Sequence, residues 1–155
     1  MIKIIEADLT DMSHQIAICH LINSYLLDPM GGQSSAHSEE KQKRLINWLT
    51  EAGNVLCLLA YIDHSPAGLA VCFKQFSTFL VKPVINIHDL IVDKEYRNRG
   101  IGRALLKEIA DFARKNDYGK VTLEVRKDNA VAKKLYTGMG FNECDPEMHF
   151  WVKHI

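Results

Sequence analysis

One junction constrains this chain more than any other. The β-branched run Val84–Val92 gives way to the polar stretch Asp93–Arg99, and Gly100 and Gly102 then open a long helix. That helix, Gly100–Asn116, is strongly amphipathic, with Ile101, Ala104, Leu105, Ile109, Phe112 and Ala113 on one face. The first amides of a helix have no partners inside it. Together with the helix dipole they make an anion site suited to phosphate. Gly100 and Gly102 remove Cβ atoms where a ligand must approach the backbone. Arg97, Arg99 and Arg103 add positive charge, and a pyrophosphate is the fitting guest.

Composition narrows the classes that can carry such a junction. The 155 residues are 47% apolar, and 19 Lys+Arg balance 19 Asp+Glu. High apolar content with zero net charge excludes disorder as the main state. Charge balance argues against an electrostatic grip on nucleic acid. At this length a single domain, residues 1–155, is the natural count, with a core that needs no staples. The four cysteines, Cys19, Cys57, Cys72 and Cys144, show no C-x-x-C spacing, so neither a disulfide framework nor a structural metal site is expected. The longest apolar run, Val55–Ile62, is too short to span a bilayer, and the first residues carry no secretory signal pattern. A cytoplasmic protein without membrane contact is expected.

Periodicity supplies the remaining elements. Ile2–Ile5 reads as a strand, Asp11 or Ser13 caps a helix to about Leu27, and Ser38 starts a second helix. Val55–Ile62 and Leu69–Phe76 read as strands joined by a connection over Asp63–Gly68, followed by the strand Val84–Val92. Lys120–Arg126 alternates as a strand, and Asp128 or Asn129 caps a helix that ends near Gly140. Phe141 onward and Met148–Lys153 read as two closing strands. The expected class is α/β (α+β): a mixed, mostly antiparallel central sheet flanked by helices on both faces.

The glycine junction has a competing reading as a dinucleotide fingerprint, G-x-G-x-x-G. Its third glycine would fall at Leu105, where the match fails. Glu124 does stand where a ribose-binding acid is expected, but the preceding strands form hairpins, not a doubly wound set. The pattern Arg/Gln-x-x-Gly-x-Gly/Ala is met in full by Arg97, Gly100 and Gly102, directly after a strand. Downstream stands Asn129-x-x-Ala132-x-x-x-Tyr136-x-x-x-Gly140-Phe141. On these two motifs the sequence resembles the GNAT superfamily of acyl-CoA-dependent N-acyltransferases. The resemblance is strongest over residues 87–141.

The resemblance implies a GNAT-like fold, acetyl-CoA as co-substrate and no metal. It implies that the main chain of Leu90, Ile91 and Val92 pairs with the pantetheine arm, and that the amides of Arg97, Asn98, Arg99, Gly100, Ile101 and Gly102 wrap the pyrophosphate. The adenine end would rest near Arg103 and Lys133 or Lys134. Asn129 would hydrogen-bond the arm, where Ala132 leaves room, and an N-cap role for Asn129 is compatible with this. Tyr136 takes the family position of the general acid that protonates the departing thiolate. An amide of Leu90 or Val92 would polarise the thioester carbonyl.

The base is left open between His88, Asp89 and a water relay. Adjacent strand residues face opposite ways, so only one of His88 and Asp89 is expected to look toward the acceptor. Phe76–Phe79 resembles the substrate-side loop of the polyamine-type branch, and the helix-helix loop Asp28–Ser35 is expected to form the other wall. The expected partner is a small-molecule primary amine, attacked directly in a ternary complex. A protein N-terminus or lysine is the alternative acceptor, and a non-catalytic acyl-CoA sensor the alternative class. A homodimer, paired through the terminal stretch with Phe150, Trp151 and Val152, is compatible with the family pattern.

Overall fold

The structure is a computed structural model that describes all residues, Met1–Ile155. In chain order the elements are β1 (Ile2–Glu6), α1 (Met12–Leu26), α2 (Glu39–Glu51), β2 (Val55–Ile62), β3 (Ser65–Ser77), β4 (Lys82–Val92), a 3-10 turn (Lys94–Tyr96), α3 (Ile101–Lys115), β5 (Val121–Leu123) and α4 (Ala130–Thr137). The sheet has five strands in the order β1-β2-β3-β4-β5. The first three pairings are antiparallel and β4 runs parallel to β5, with α3 as the crossover between them. Helices lie on both faces, as the pattern of the sequence predicts.

Local chemistry explains the element ends. Asp63 and His64 both take positive φ, 47° and 69°, so β2 turns into β3 through a two-residue hairpin turn. The connection is therefore shorter than Asp63–Gly68, and β3 starts at Ser65. Pro66 is tolerated in that strand because the register shifts at Ala60/Tyr61, where Pro66 faces Tyr61. The Asp11 carboxylate accepts the amides of Ser13 and His14 to start α1, and the Ser38 side chain accepts the Lys41 amide to start α2.

The two faces of the sheet are assigned by alternation. Cys57, Leu59, Leu69, Val71 and Ile91 share one buried cluster with Ala17, Ile18 and Leu21 of α1 and Ile46 and Leu49 of α2. Gly68, the neighbour of Leu69, points to the opposite face, where a Cβ would stand 2.7 Å from Ile101 Cγ2 and 3.2 Å from Leu105 Cδ1 of α3. That Cβ would also stand 3.1 Å from the Ile91 carbonyl oxygen, which cannot move without disturbing β4. Gly68→Ala is therefore expected to destabilise the fold by about 1–3 kcal/mol, the usual cost of overpacking a core. Urea unfolding should show a lower midpoint at unchanged slope. An unshifted midpoint would mean that α3 recedes freely from the sheet.

Two expectations from the sequence are corrected. No strand follows β5: Phe141 onward and Met148–Lys153 have no regular structure, and Phe150, Trp151 and Val152 are exposed. A strand needs a ladder partner, and none is paired with Met148–Lys153. β5 is three residues long, Val121–Leu123, not Lys120–Arg126. Its parallel pairing with β4 stops at Ile87↔Leu123, where β4 bulges.

The chain divides into two units, Met1–Glu124 and Val125–Ile155. The first holds the whole sheet with α1, α2 and α3. The second holds α4, whose N-cap is Asn129 and whose exit passes through Gly140 at φ 88°. That left-handed glycine returns the chain so that the Phe141 amide donates to the Tyr136 carbonyl at 3.0 Å.

Candidate active site

The bulge in β4 organises the first unit's site. The register with β3 runs Val71↔Asp89, then Cys72↔Ile87, leaving His88 as an extra residue. The Ile85 amide donates to Lys120 O on the β5 side, at 3.1 Å, and the Asp93 amide donates to Ala67 O on the β3 side, at 3.0 Å. Amides alternate edges along an antiparallel strand. Counting back from Asp93, the amides of Val92 and Leu90 point away from β3, toward the side where β5 has ended. Without the extra residue, Asp89 and Ile91 would present their amides there instead. The bulge thus hands Leu90 and Val92 to an edge that β5 no longer covers, which fits an extended ligand arm adding itself as a strand.

The strand leads directly into the glycine turn. Asn98 takes φ 62° and Gly100 φ 82°, so left-handed residues recur within the turn. Gly100 is the N-cap of α3, and a Cβ built there meets nothing within 4 Å. Two of the three arginines named from the sequence, Arg97 and Arg99, have protein partners of their own. Arg97 Nη2 donates to Asp28 Oδ2 at 2.7 Å, and its Nε donates to the Val92 carbonyl at 3.3 Å. Arg99 stacks on the Tyr96 ring at 5.3 Å.

Asp28 lies in the loop between α1 and α2. Its carboxyl, only 14% exposed, accepts the Met30 amide as well as Arg97. Those hydrogen bonds, together with the Arg97 charge, hold it below the usual carboxylate range. It is spent on anchoring the α1–α2 loop to the glycine turn and does not offer a free charge to an amine.

The bulge also changes where the titratable groups point. Asp89 pairs with Val71, whose side chain lies in the cluster shared with α1 and α2. The His88 ring sits 5.3 Å from the Phe73 ring, and Phe73 packs against that same cluster. His88 and Asp89 therefore face the same side, contrary to simple alternation. Burial pushes the Asp89 carboxyl above the usual carboxylate range, and the neighbouring His88 opposes that shift.

Sequence reasoning missed a third group on this face. Asn86 is buried and its Nδ2 donates to Thr122 Oγ1 at 3.2 Å and to both carboxylate oxygens of Glu124 at 3.3 Å. Asn86 pairs with Phe73, so Glu124 is drawn to the same face as His88 and Asp89. Glu124 is the first residue past the last β4–β5 pair, at the rim of the uncovered edge. The signal was its position at a strand end two residues from Thr122.

In the second unit, Asn129 Oδ1 accepts the Ala132 amide at 3.1 Å, which realises the N-cap role. Tyr136 is half-buried on the two-turn α4, and its ring meets Phe141 edge-on at 5.9 Å. No cluster of three or more His, Cys, Asp or Glu is placed to hold a metal ion. No helix is long and apolar enough to cross a membrane.

The fourth strand thus bulges, uncovers the amides of Leu90 and Val92 and enters a glycine turn at the start of α3. The chain belongs to the acetyltransferase (GNAT) family, whose model matches residues 18–141. Among curated relatives it is 53% identical over 83 residues to the N-alpha-acetyltransferase RimI of Mycobacterium tuberculosis, covering 52% of this chain and 51% of that protein. It is 35% identical over 81 residues to the ribosomal protein bS18-alanine N-acetyltransferase of Escherichia coli K12, covering 50% and 55%. The chain thus spans about half the length of the curated relatives it matches. Solved structures with the same fold include a probable acetyltransferase, with a TM-score of 0.84 at 22% identity over 99% of this chain and 98% of that one. A ribosomal-protein-alanine N-acetyltransferase of Brucella melitensis biovar Abortus 2308 gives 0.79 at 17% identity over 100% and 99%.

Proposed function

We propose that this protein is an acetyl-CoA-dependent N-acetyltransferase that acetylates the primary amine of a small molecule by direct attack in a ternary complex. The observation that carries the reading is the pair of amides, Leu90 and Val92, that β5 leaves uncovered on a strand leading into the glycine turn at the start of α3. Acetyl-CoA supplies a thioester that is activated for attack by an amine. Leu90 and Val92 orient it along the strand edge, and one of their amides polarises the carbonyl. The turn amides hold the diphosphate, and Asn129 with Ala132 borders the arm. Glu124 takes the proton from the amine, with His88 and Asp89 as its neighbours on the same face. Tyr136 gives a proton to the departing thiolate. The family model crosses the boundary between the two units, which supports reading residues 1–155 as one acetyltransferase domain.

Direct attack is favoured over an acyl-cysteine route. Burial pushes the thiols of Cys57 and Cys72 up to about 12, so neither furnishes a thiolate at neutral pH. A second acceptor reading, a polypeptide N-terminus, is favoured by the names of the RimI and bS18-alanine relatives. A single assay separates the two: thiol release from acetyl-CoA with a panel of primary amines beside short peptides with free N-termini. The expected result is turnover on at least one small amine. Turnover on peptides alone moves the acceptor to the second reading, and no turnover with intact coenzyme A binding removes the enzyme reading. The exposed Phe150, Trp151 and Val152 support pairing of two copies through the terminal stretch. Sedimentation should then give a dimer mass, and a monomer mass would refute it.

A further inference from the structure

Three aromatic rings from three elements stand in a chain beside the titratable groups. Trp48 of α2 meets Phe73 of β3 edge-on, with ring centroids 6.0 Å apart and planes at 75°. Phe73 meets His88 of β4 in the same way, at 5.3 Å and 73°. Phe73 is half-buried and packed on the core cluster, so it fixes the other two. Trp48 is 59% exposed, high for a residue that is usually mostly buried. Its edge contact with Phe73 leaves ring surface open to solvent. The row ends at the acids: His88 adjoins Asp89, and Phe73 pairs across the strands with Asn86, which holds Glu124.

We propose that Trp48, Phe73 and His88 form an acceptor shelf that selects primary amines carrying an aromatic group a few bonds from the nitrogen. The inference rests on the transferase reading above and names the substrate class of that same site. The ammonium end of such a molecule is matched to Glu124 and Asp89, and its ring is matched to the edge-to-face row. Aromatic pairs of this kind add to simple burial, by an amount worth about tenfold in an equilibrium constant. An acceptor with charge at both ends gains less, because the positions beyond the two acids carry rings in place of carboxylates. The shared chemistry, an amine beside an aromatic ring, occurs in free arylalkylamines and in polypeptides that begin with Phe or Tyr.

The experiment uses the full chain, acetyl-CoA and matched acceptors: phenethylamine against butylamine and putrescine, and a peptide beginning with Phe against one beginning with Gly. The expected kcat/KM is about tenfold or more higher for the aromatic member, and whichever aromatic acceptor is faster identifies the source. Trp48→Ala should erase that preference, bringing kcat/KM for phenethylamine down to that for butylamine. Equal rates for phenethylamine and butylamine, or an undiminished preference in Trp48→Ala, overturns the proposal. A binding readout stands apart from turnover. The chain has two tryptophans, so Trp151→Phe leaves Trp48 as the sole indole reporter. Phenethylamine should change its fluorescence saturably and butylamine should not. No response to phenethylamine overturns the shelf even if acetylation occurs, whereas a response without thiol release from any amine keeps the shelf and removes the transferase reading.

Discussion

Tyr136→Phe is expected to lower turnover by about 10²–10⁴-fold, the usual contribution of a positioned proton donor. The leaving group is an alkyl thiolate whose conjugate acid resembles a cysteine thiol, with a pKa of about 8.5. Expelling it unprotonated into a desolvated site costs much of what carbonyl polarisation provides. The substitution removes only the hydroxyl. The ring that meets Phe141 at 5.9 Å is retained, and so is the backbone hydrogen bond from Phe141 to the carbonyl of residue 136. Affinity for coenzyme A, measured by calorimetry, should therefore stay within a few-fold of the parent. Pre-steady-state thiol release must be used, so that slow product release does not mask the chemical step. A variant that releases thiol in the first turnover as fast as the parent would strip Tyr136 of the donor role and leave it a packing residue.

The parts of this site that were legible in the sequence are the local ones. The apolar face of α3, the β-branched run of β4 and the glycines between them are each written within a few residues. The structure reproduces them with Ile101, Leu105 and Ile109 buried and Gly100 at positive φ. The parts that were not legible depend on partners far along the chain. His88 is an extra residue only because β3 skips it, and nothing near position 88 announces which residue β3 will pair. The bulge reverses the facing of His88 relative to Asp89 and sets which amides reach the open edge. Arg97 reads as a phosphate ligand until Asp28, 69 positions earlier, claims its guanidinium. Glu124 reads as a ribose acid in a different fold until Asn86, 38 positions earlier, draws it to the face that carries His88 and Asp89. The closing strands failed for the same reason: apolar residues report what a segment would bury, not whether a neighbour is there to pair.

Glu124→Gln is the second large effect, expected to lower kcat/KM by about 10²–10⁴-fold at neutral pH. A lysine-like amine has a reference pKa near 10.4, so the attacking nitrogen arrives protonated and needs an acceptor for that proton. Gln keeps the shape and the oxygen that accepts from Asn86, so lost activity reports lost basicity and not a collapsed strand end. Asp89→Asn separates the neighbours. Burial raises the Asp89 pKa in the folded state, so the folded protein holds that proton more tightly than the unfolded chain does. The resulting stability is complete below the unfolded carboxylate pKa, about 3.9, and is lost as pH rises through the folded value. At pH 7 the charged Asp89 is therefore a cost, and Asp89→Asn should unfold at a higher temperature than the parent while retaining most of its turnover. If Asp89→Asn is the crippled variant and Glu124→Gln is not, the base is the half-buried acid that the bulge turned inward, and Glu124 serves only to bind the amine.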